Sequence, residues 1–332
     1  MDLRQGRRIT AYDPAASALW ILTADDETHA AIFTRLTSAT KESTDFALAV
    51  SVLGWLGGGV FPVEDGSLWL AYGLSLVRFD PATKAEQDVA LPPKVFDVSA
   101  PLQAAVMLDG VIWVAQLGAH VLERYSAVQA EWLTPVPLPF DVLPYSQLLV
   151  AGSRIVIDGV APTSVDGQMS LVTLTSDPTL VASKPVGHLA SIASAQSGDL
   201  LEFGTDAALT VVAPDDHSTR LTLSIPVDEL VASRPWISDE SGQLWSWVRH
   251  FGDSLVRLDP TTGTWSYYTF PDVTLSSGDA FPHGSSDSPQ NIVASPEIQT
   301  ITATPDGIVV TTRAGENFPT QWAHASAYMF SP

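Results

Sequence analysis

The sequence predicts an all-β protein folded as a seven-bladed β-propeller, with four antiparallel strands per blade. Three observations support this prediction: an apolar anchor, most often tryptophan, with a period of 44 residues, tight-turn dipeptides at a constant offset before it, and apolar residues that alternate or cluster in short runs. Four short strands in a unit of about 40 to 50 residues are typical of a propeller blade. A solenoid is disfavoured, because its repeats are shorter and its ends need capping.

The period is clearest between tryptophans. Trp69 and Trp113 are 44 residues apart, and Trp245 follows Trp113 by 132 residues, which is three periods. Trp20 lies one period plus five residues before Trp69, and Val310 lies one period plus 21 residues after Trp245. One anchor position per unit then gives seven units: Trp20, Trp69, Trp113, Ile157, Leu201, Trp245 and Val310.

Turn dipeptides delimit the strands within each unit. Four of them occupy the same offset before an anchor: Asp65-Gly66, Asp109-Gly110, Ser241-Gly242 and Asp306-Gly307. Glycine accepts a positive φ without a Cβ clash, so these dipeptides predict tight turns. Asp80-Pro81 and Asp259-Pro260 predict a second turn further along two of the units. The innermost strands are expected to carry small residues, as at 103–106 and 190–193.

The chain ends predict how the ring closes. Ser331-Pro332 is in phase with Asp80-Pro81, so the last unit lacks an outer strand. A spare strand at residues 7–13 precedes the first full unit, and we expect it to pair into the last blade and remove the exposed edges. The chain is therefore predicted to be one domain, residues 1–332, with blades at about 14–50, 51–97, 98–139, 140–185, 186–227, 228–271, and 272–332 plus strand 7–13.

Composition restricts the partners. The chain has 37 acidic and 16 basic residues, a net charge of -21, which disfavours nucleic acid and anionic membranes. It contains no cysteine, which excludes disulfides, thiolate metal sites and cysteine nucleophiles. Residues 1–8 are not followed by the apolar stretch of a signal peptide, and the longest apolar run, 48–61, contains four glycines and is too short to span a bilayer. The compartment is left undetermined.

The repeat resembles that of the virginiamycin B lyase-like propellers and is similar to the sensor propellers of two-component regulators. Residues 65–84 and 241–263 carry this resemblance most clearly, and 109–125 more weakly, through Asp-Gly-x-Leu-Trp followed by Leu-Val-Arg-Phe-Asp-Pro. The resemblance implies a propeller, and its lyase branch implies metal-assisted elimination by His and Glu on one face. Here the recurring Trp-Phe-Thr-Glu is replaced, for example by Trp113-Val114-Ala115-Gln116, so the glutamates are missing and that chemistry is in doubt.

A site is expected where the loops between second and third strands, and those between blades, converge around the channel; we call this end the top face. The expected catalytic residues are His188 and His250, with Arg249 available to hold an anionic group. The expected ligand-binding residues are His29, Gln116, His120, Trp236, Arg313, Glu316, Trp322 and His324. A divalent cation such as calcium or magnesium is an expected cofactor of the enzymatic alternative, with no metal ligands assigned. The alternative is that these histidines are polar loop residues that face solvent and bind no ligand.

An insertion at residues 272–296 supplies the 21 extra residues before the last anchor. Its Asp279, His283 and Asp287 are spaced by four, which could indicate a metal site, but the spacing is helical and the segment is not. The insertion is interpreted as either a lid over the channel or a plain loop.

Two functions follow from these patterns. The first is a recognition module that binds a small molecule, a glycan or a protein at the top face. The alternative is a metal-dependent lyase or hydrolase with its site in the central channel. A closed propeller has little need to oligomerise, so a monomer is expected.

Overall fold

The chain folds as an all-β, seven-bladed propeller of antiparallel blades, as predicted. The computed structural model describes residues 7–24, 30–37, 40, 42–51, 58–73, 75–89, 102–144, 146–160, 169–175, 181–186, 189–215, 217–223, 236–249, 253–271, 273–275, 292–294, 297–315 and 322–330. None of these residues forms a helix long and apolar enough to cross a membrane.

The first three blades each contain four strands in chain order. Blade 1 consists of β1 (Arg7–Asp13), β2 (Ala18–Ala24), β3 (Ala30–Thr37) and β4 (Ser43–Ser51). Blade 2 consists of β5 (Gly58–Pro62), β6 (Leu68–Tyr72), β7 (Ser75–Asp80) and β8 (Ala85–Val89). Blade 3 consists of β9 (Leu102–Leu108), β10 (Val111–Gln116), β11 (Val121–Ser126) and β12 (Glu131–Pro137).

Blades 4 to 6 repeat this order. Blade 4 consists of β13 (Leu148–Ala151), β14 (Arg154–Val160), β15 (Met169–Thr175) and β16 (Val181–Val186). Blade 5 consists of β17 (Leu189–Ser194), β18 (Leu200–Gly204), β19 (Ala208–Val212) and β20 (Ser218–Thr222). Blade 6 consists of β21 (Ile237–Ser238), β22 (Leu244–Arg249), β23 (Asp253–Leu258) and β24 (Trp265–Thr269).

The last part of the chain departs from this pattern. A short hairpin of β25 (Val273–Leu275) and β26 (Ile292–Ala294) forms the two ends of the predicted insertion. Asp279, His283 and Asp287 lie outside the described residues. Blade 7 follows with three described strands, β27 (Glu297–Thr304), β28 (Gly307–Gly315) and β29 (Trp322–Phe330).

The seven anchors all lie in second strands; five of them face the following blade, whereas Ile157 and Val310 pack against the preceding blade. Each is buried at an interface between blades: Trp20, Trp69, Trp113, Ile157, Leu201, Trp245 and Val310. The 44-residue period therefore measures the distance from one second strand to the next.

Ring closure differs from the prediction. The strand at 7–13 pairs with β2, from Arg7 opposite Ala24 to Asp13 opposite Ala18, and is the innermost strand of blade 1. The expectation that it completes blade 7 is therefore wrong. Only residues 14–17 join β1 to β2, and so short a connection makes a hairpin between neighbouring strands of one sheet.

The ring closes instead through its innermost strands. These strands contact one another in chain order, and β1 contacts β27 across the junction of blades 7 and 1. The hydroxyls of Thr10 and Thr302 share a hydrogen bond at this junction. Closure thus takes place near the axis, between whole blades.

Tryptophan anchors are paired with arginines. In each of the four blades with a tryptophan anchor, the residue directly opposite on the third strand is arginine: Arg35, Arg78, Arg124 and Arg257. The guanidinium carbons of Arg35, Arg124 and Arg257 lie 5.8, 4.8 and 5.6 Å from the centroids of their tryptophan rings. Such cation–π contacts let a charged side chain cover an apolar anchor.

Candidate functional site

Four predicted site residues lie at the top ends of strands in blades 6 and 7. Arg249 ends β22 opposite Asp253, whereas Arg313 lies near the end of β28. Trp322 and His324 lie at the start of β29, opposite Gly315 and Ala314. These positions share the end of the propeller at which second strands lead into third strands. His29, His188, His250 and Glu316 lie outside the described residues.

Gln116 also ends a second strand, but its side chain is buried. It has 0% of its surface exposed, and neither amide atom has a hydrogen-bond partner. Alternation along β10 puts Gln116 on the same face as Val114, which packs between blades 2 and 3. The structure therefore places Gln116 inside the interface of blades 2 and 3, and its role in ligand binding stays a prediction.

A carboxyl group shares this buried face. Glu123 is directly opposite Val114, is 2% exposed, and has a buried oxygen, Oε1, without a hydrogen-bond partner. Burial raises the pKa of Glu123. An amide and a carboxyl group thus lie diagonally across two strands in an otherwise apolar interface.

His120 has a carboxylate partner at the rim of the top face. Its Nδ1 atom lies 2.5 Å from Oδ1 of Asp141, and both side chains reach solvent. Two backbone hydrogen bonds hold the loops that carry this pair: Gly118 N donates to Val142 O (2.7 Å) and Leu138 N donates to His120 O (2.7 Å). The arrangement orients one imidazole toward a carboxylate across the junction of blades 3 and 4.

Trp236 is part of the core. It is 4% exposed and stacks on Phe203 with a centroid distance of 4.6 Å and an interplanar angle of 13°. It precedes β21 and packs into the interface of blades 5 and 6. The expectation of an accessible aromatic ring here is wrong, because the position faces the neighbouring blade.

An opening lies at the opposite end of the propeller, which carries the turns between first and second strands; we call this end the turn face. A cavity of about 370 Å³ opens where the innermost strands of blades 1, 5, 6 and 7 end. A second cavity of about 550 Å³ continues between blades 5 and 6 and shares Ala195, Gln196 and Glu240 with the first. We call the two together the axial cleft. Its wall residues include Tyr12, Ser194, Gln196, Asp199, Glu240 and Thr304.

Asp239 fixes one wall of the axial cleft. Its Oδ1 accepts hydrogen bonds from Ser241 N (2.9 Å), Ser241 Oγ (2.7 Å) and Gln243 N (2.9 Å), and its Oδ2 accepts one from the indole of Trp245 (2.7 Å). Asp239 is buried and its acceptors are occupied, so it supports the turn.

Gln196 links the two sides of the axial cleft. With its amide nitrogen turned toward blade 6, it donates to Asp239 O (3.3 Å) and Glu240 O (2.9 Å). Glu240 and Gln196 remain exposed at the mouth of the cleft. The cleft therefore presents an exposed carboxylate on a turn that hydrogen bonds hold in place.

Turn aspartates lie on the turn face, and one of them, Asp65, is paired with Arg78. Hydrogen bonds lower their pKa values, chiefly the one from Ser67 to Asp65, the one from Thr83 to Asp80 and the one from the backbone of Thr261 to Asp259. These carboxyl groups are therefore ionised near neutral pH. Sequence reasoning assigned these aspartates to turns, and it did not recognise that strand order brings the turns to one face.

Among the residues that the structure describes, no three His, Asp or Glu side chains converge in a way that could hold a metal. The structure describes the backbone, but not the side chains, of Arg249, Arg313, Trp322 and His324.

Comparison with solved structures supports the fold. No protein-family model matches the chain, and no curated protein matches it. The chain is similar to Kuenenia stuttgartiensis hydrazine synthase (TM-score 0.61, 12% identity, covering 98% of this chain and 96% of that one). It is also similar to the Myceliophteria thermophila Cps50 (Swd1) β-propeller domain (TM-score 0.64, 10% identity, covering 100% of this chain and 98% of that one). A third similar structure is BBS1N in complex with ARL6DN (TM-score 0.56, 7% identity, covering 99% of this chain and 93% of that one). At these identities the likeness shows the fold, a β-propeller.

Proposed function

We propose that this protein is a non-catalytic recognition module that binds a segment of a partner protein in the axial cleft. The observation that carries the proposal is the continuity of the cleft, from the channel mouth into the groove between blades 5 and 6. An open, elongated cleft suits an extended chain better than a compact ligand, which is usually enclosed.

The walls of the cleft favour a basic segment. Glu240 offers an exposed carboxylate, and Asp199 lies along the second cavity. The hydroxyl oxygens of Ser194 and Ser241, whose protons are donated within the protein, can accept further hydrogen bonds. The net charge of -21 also attracts a cationic partner from a distance.

The fold neighbours are compatible with a protein ligand. One of them is described in a complex with another protein, BBS1N with ARL6DN. At this identity the likeness extends to the fold alone, so the proposal depends on the cleft.

The proposal is tested with a fluorescent octapeptide in which arginine and serine alternate. We expect anisotropy titrations to show binding that Glu240→Lys weakens at least tenfold, because the substitution reverses a charge at the mouth of the cleft. The matched control is Glu131→Lys, the same change on the exposed outer strand β12, which should leave binding unchanged. The proposal is contradicted if Glu240→Lys and Glu131→Lys bind the peptide with equal affinity. It is also contradicted if the parent protein binds an octapeptide with glutamate in place of arginine as tightly as the arginine peptide.

A second candidate is the metal-dependent lyase or hydrolase implied by the resemblance to virginiamycin B lyase-like propellers. The observation that favours it is the pair of His120 and Asp141 on the predicted top face. Thermal unfolding with EDTA, and then with calcium, magnesium or zinc, tests it. A metal that binds the folded state raises the midpoint, and no response to any metal contradicts this candidate. Binding of a small molecule or a glycan at the top face stays a prediction of the sequence.

A further inference from the structure

The third strand of blade 7 has no strand outside it in the described part of the chain. In blades 1 to 6 the third strand pairs with a fourth: β3 with β4, β7 with β8, β11 with β12, β15 with β16, β19 with β20 and β23 with β24. In blade 7, β29 pairs with β28 and forms the edge of a three-stranded sheet. β1, which was expected to fill this place, is paired with β2 over its whole length.

The sequence of β29 lacks the charges and prolines that most outermost strands of this propeller carry. It reads WAHASAYMF, nine residues in which His324 is the only side chain that can gain charge near neutral pH. Proteins protect true edge strands with charges and prolines. Five of the six outermost strands of blades 1 to 6 follow this rule, with Asp45 in β4, Glu86 in β8, Pro135 in β12, Lys184 in β16 and Arg220 in β20. The sixth, β24, carries neither.

An exposed apolar side chain marks the same edge. Met329 in β29 is 46% exposed, and its cross-strand partner Val309 packs with Leu19 and Ile21 of blade 1. Tyr328 and Phe330 point the other way and contact Phe270 of blade 6 at centroid distances of 5.1 and 5.7 Å. A fourth strand next to β29 would bring a side chain against Met329, between blades 7 and 1.

Charge selects the kind of strand that fits here. Pairing two copies through β29 would bring two bodies of net charge -21 together, which is repulsive. A basic segment is attracted instead. Backbone pairing along an exposed edge is a general mode of peptide recognition, in which alternate side chains supply specificity.

We infer that the edge of β29 is a second interaction surface, which takes a basic, extended segment of a partner protein as the fourth strand of blade 7. The added strand runs antiparallel to β29 and places an apolar side chain against Met329. This surface lies on the outer rim and is separate from the axial cleft, so either proposal can fail without the other.

Residue-resolved hydrogen exchange on the full chain tests the edge. In an edge strand every second amide faces outward, so we expect fast and slow exchange to alternate along β29. The matched control within the chain is β23, whose amides should exchange slowly throughout because β22 and β24 flank it. Continuous protection along β29 in the free protein would show that the edge is already covered and would overturn the inference.

Binding is tested with a decapeptide in which valine and lysine alternate. We expect it to slow the fast amides of β29, and we expect Met329→Lys to weaken its affinity at least tenfold. Val128→Lys makes the same change at another exposed position, 84% exposed, and should leave the affinity unchanged. A backbone N-methylated peptide that binds as tightly as the unmodified one would refute strand pairing at this edge. A dimer in light scattering that Met329→Lys converts to a monomer would show that a second copy, and not a partner strand, occupies the edge.

Discussion

Buried polar side chains are the feature of this propeller that stands out at the scale of single residues. Asp239 is buried with its acceptors occupied, and it holds a turn and the indole of Trp245. Gln116 and Glu123 are equally buried, yet atoms of both lack hydrogen-bond partners. Because an unsatisfied buried polar group costs about 1–3 kcal/mol, this pair lowers stability between blades 2 and 3.

Glu123 makes stability depend on pH. Burial raises its pKa in the folded state, so the folded protein holds this proton more tightly than the unfolded chain does. Its unfavourable contribution is absent below the ordinary carboxyl pKa and develops as pH rises through the raised pKa. We therefore expect Glu123→Gln to increase the free energy of unfolding by about 1–3 kcal/mol at pH 8 and to change it little at pH 4.

Urea unfolding at a series of pH values measures this difference. The control Glu131→Gln alters an exposed carboxyl group in β12 and should stay within about 0.5 kcal/mol of the parent protein. A difference between Glu123→Gln and the parent that is the same at all pH values would contradict the assignment to charge burial.

At the scale of elements, blades 2, 5 and 6 share one turn design. The turns around Gly66, Gly198 and Gly242 have φ values of 82°, 86° and 79°. In each, the glycine N–H donates to the carbonyl three residues earlier, at 2.9, 2.9 and 3.0 Å. These turns differ in their surroundings, because Gly198 faces Gly152 of the neighbouring blade.

Alanine substitutions separate backbone strain from packing between blades. A Cβ at Gly198 would lie 3.0 Å from Gly152 Cα, whereas one at Gly66 would have no atom within 4 Å. Positive φ costs an alanine about 1–2 kcal/mol at either position. We expect Gly198→Ala to cost about 1–3 kcal/mol more than Gly66→Ala, because blades 4 and 5 must move apart. Chemical denaturation of both variants checks this, and equal losses would contradict a close contact between the blades.

At the scale of the whole molecule, net charge opposes compactness. The folded chain concentrates a charge of -21, and turn aspartates with lowered pKa values keep the turn face ionised. The ring that confines this charge closes through contacts between innermost strands, and the described residues include no strand shared by the first and last blades. Repulsion across the ring is therefore expected to weaken the fold at low ionic strength.

Salt should stabilise the protein by screening. We expect the unfolding midpoint to rise by about 1–2 °C between 10 and 150 mM NaCl, which corresponds to about 1 kcal/mol for a chain of 332 residues. Differential scanning calorimetry measures the rise, and magnesium chloride at equal ionic strength is the control for a specific cation site. An unchanged or lower midpoint in NaCl would contradict self-repulsion.

The sequence alone determined the number of blades, the second-strand position of every anchor and the tight turns at Gly66, Gly110, Gly242 and Gly307. These features depend on local physics: alternation of apolar residues, the period of the repeat, and the tolerance of glycine for positive φ. Each can be recognised within a window of one blade, so one sequence is enough.

Only the tertiary structure decided the closure of the ring, the burial of Gln116 and Trp236, and the placement of the axial cleft. β1 could pair with β2 or with the last blade on its sequence alone, and the turn at 14–17 favoured the hairpin. The exposure of Gln116 or Trp236 depends on what the neighbouring blade presents, and the cleft depends on turns from four blades meeting at the axis. Such contacts join residues far apart in the chain, and the pattern within one repeat carries no information about them.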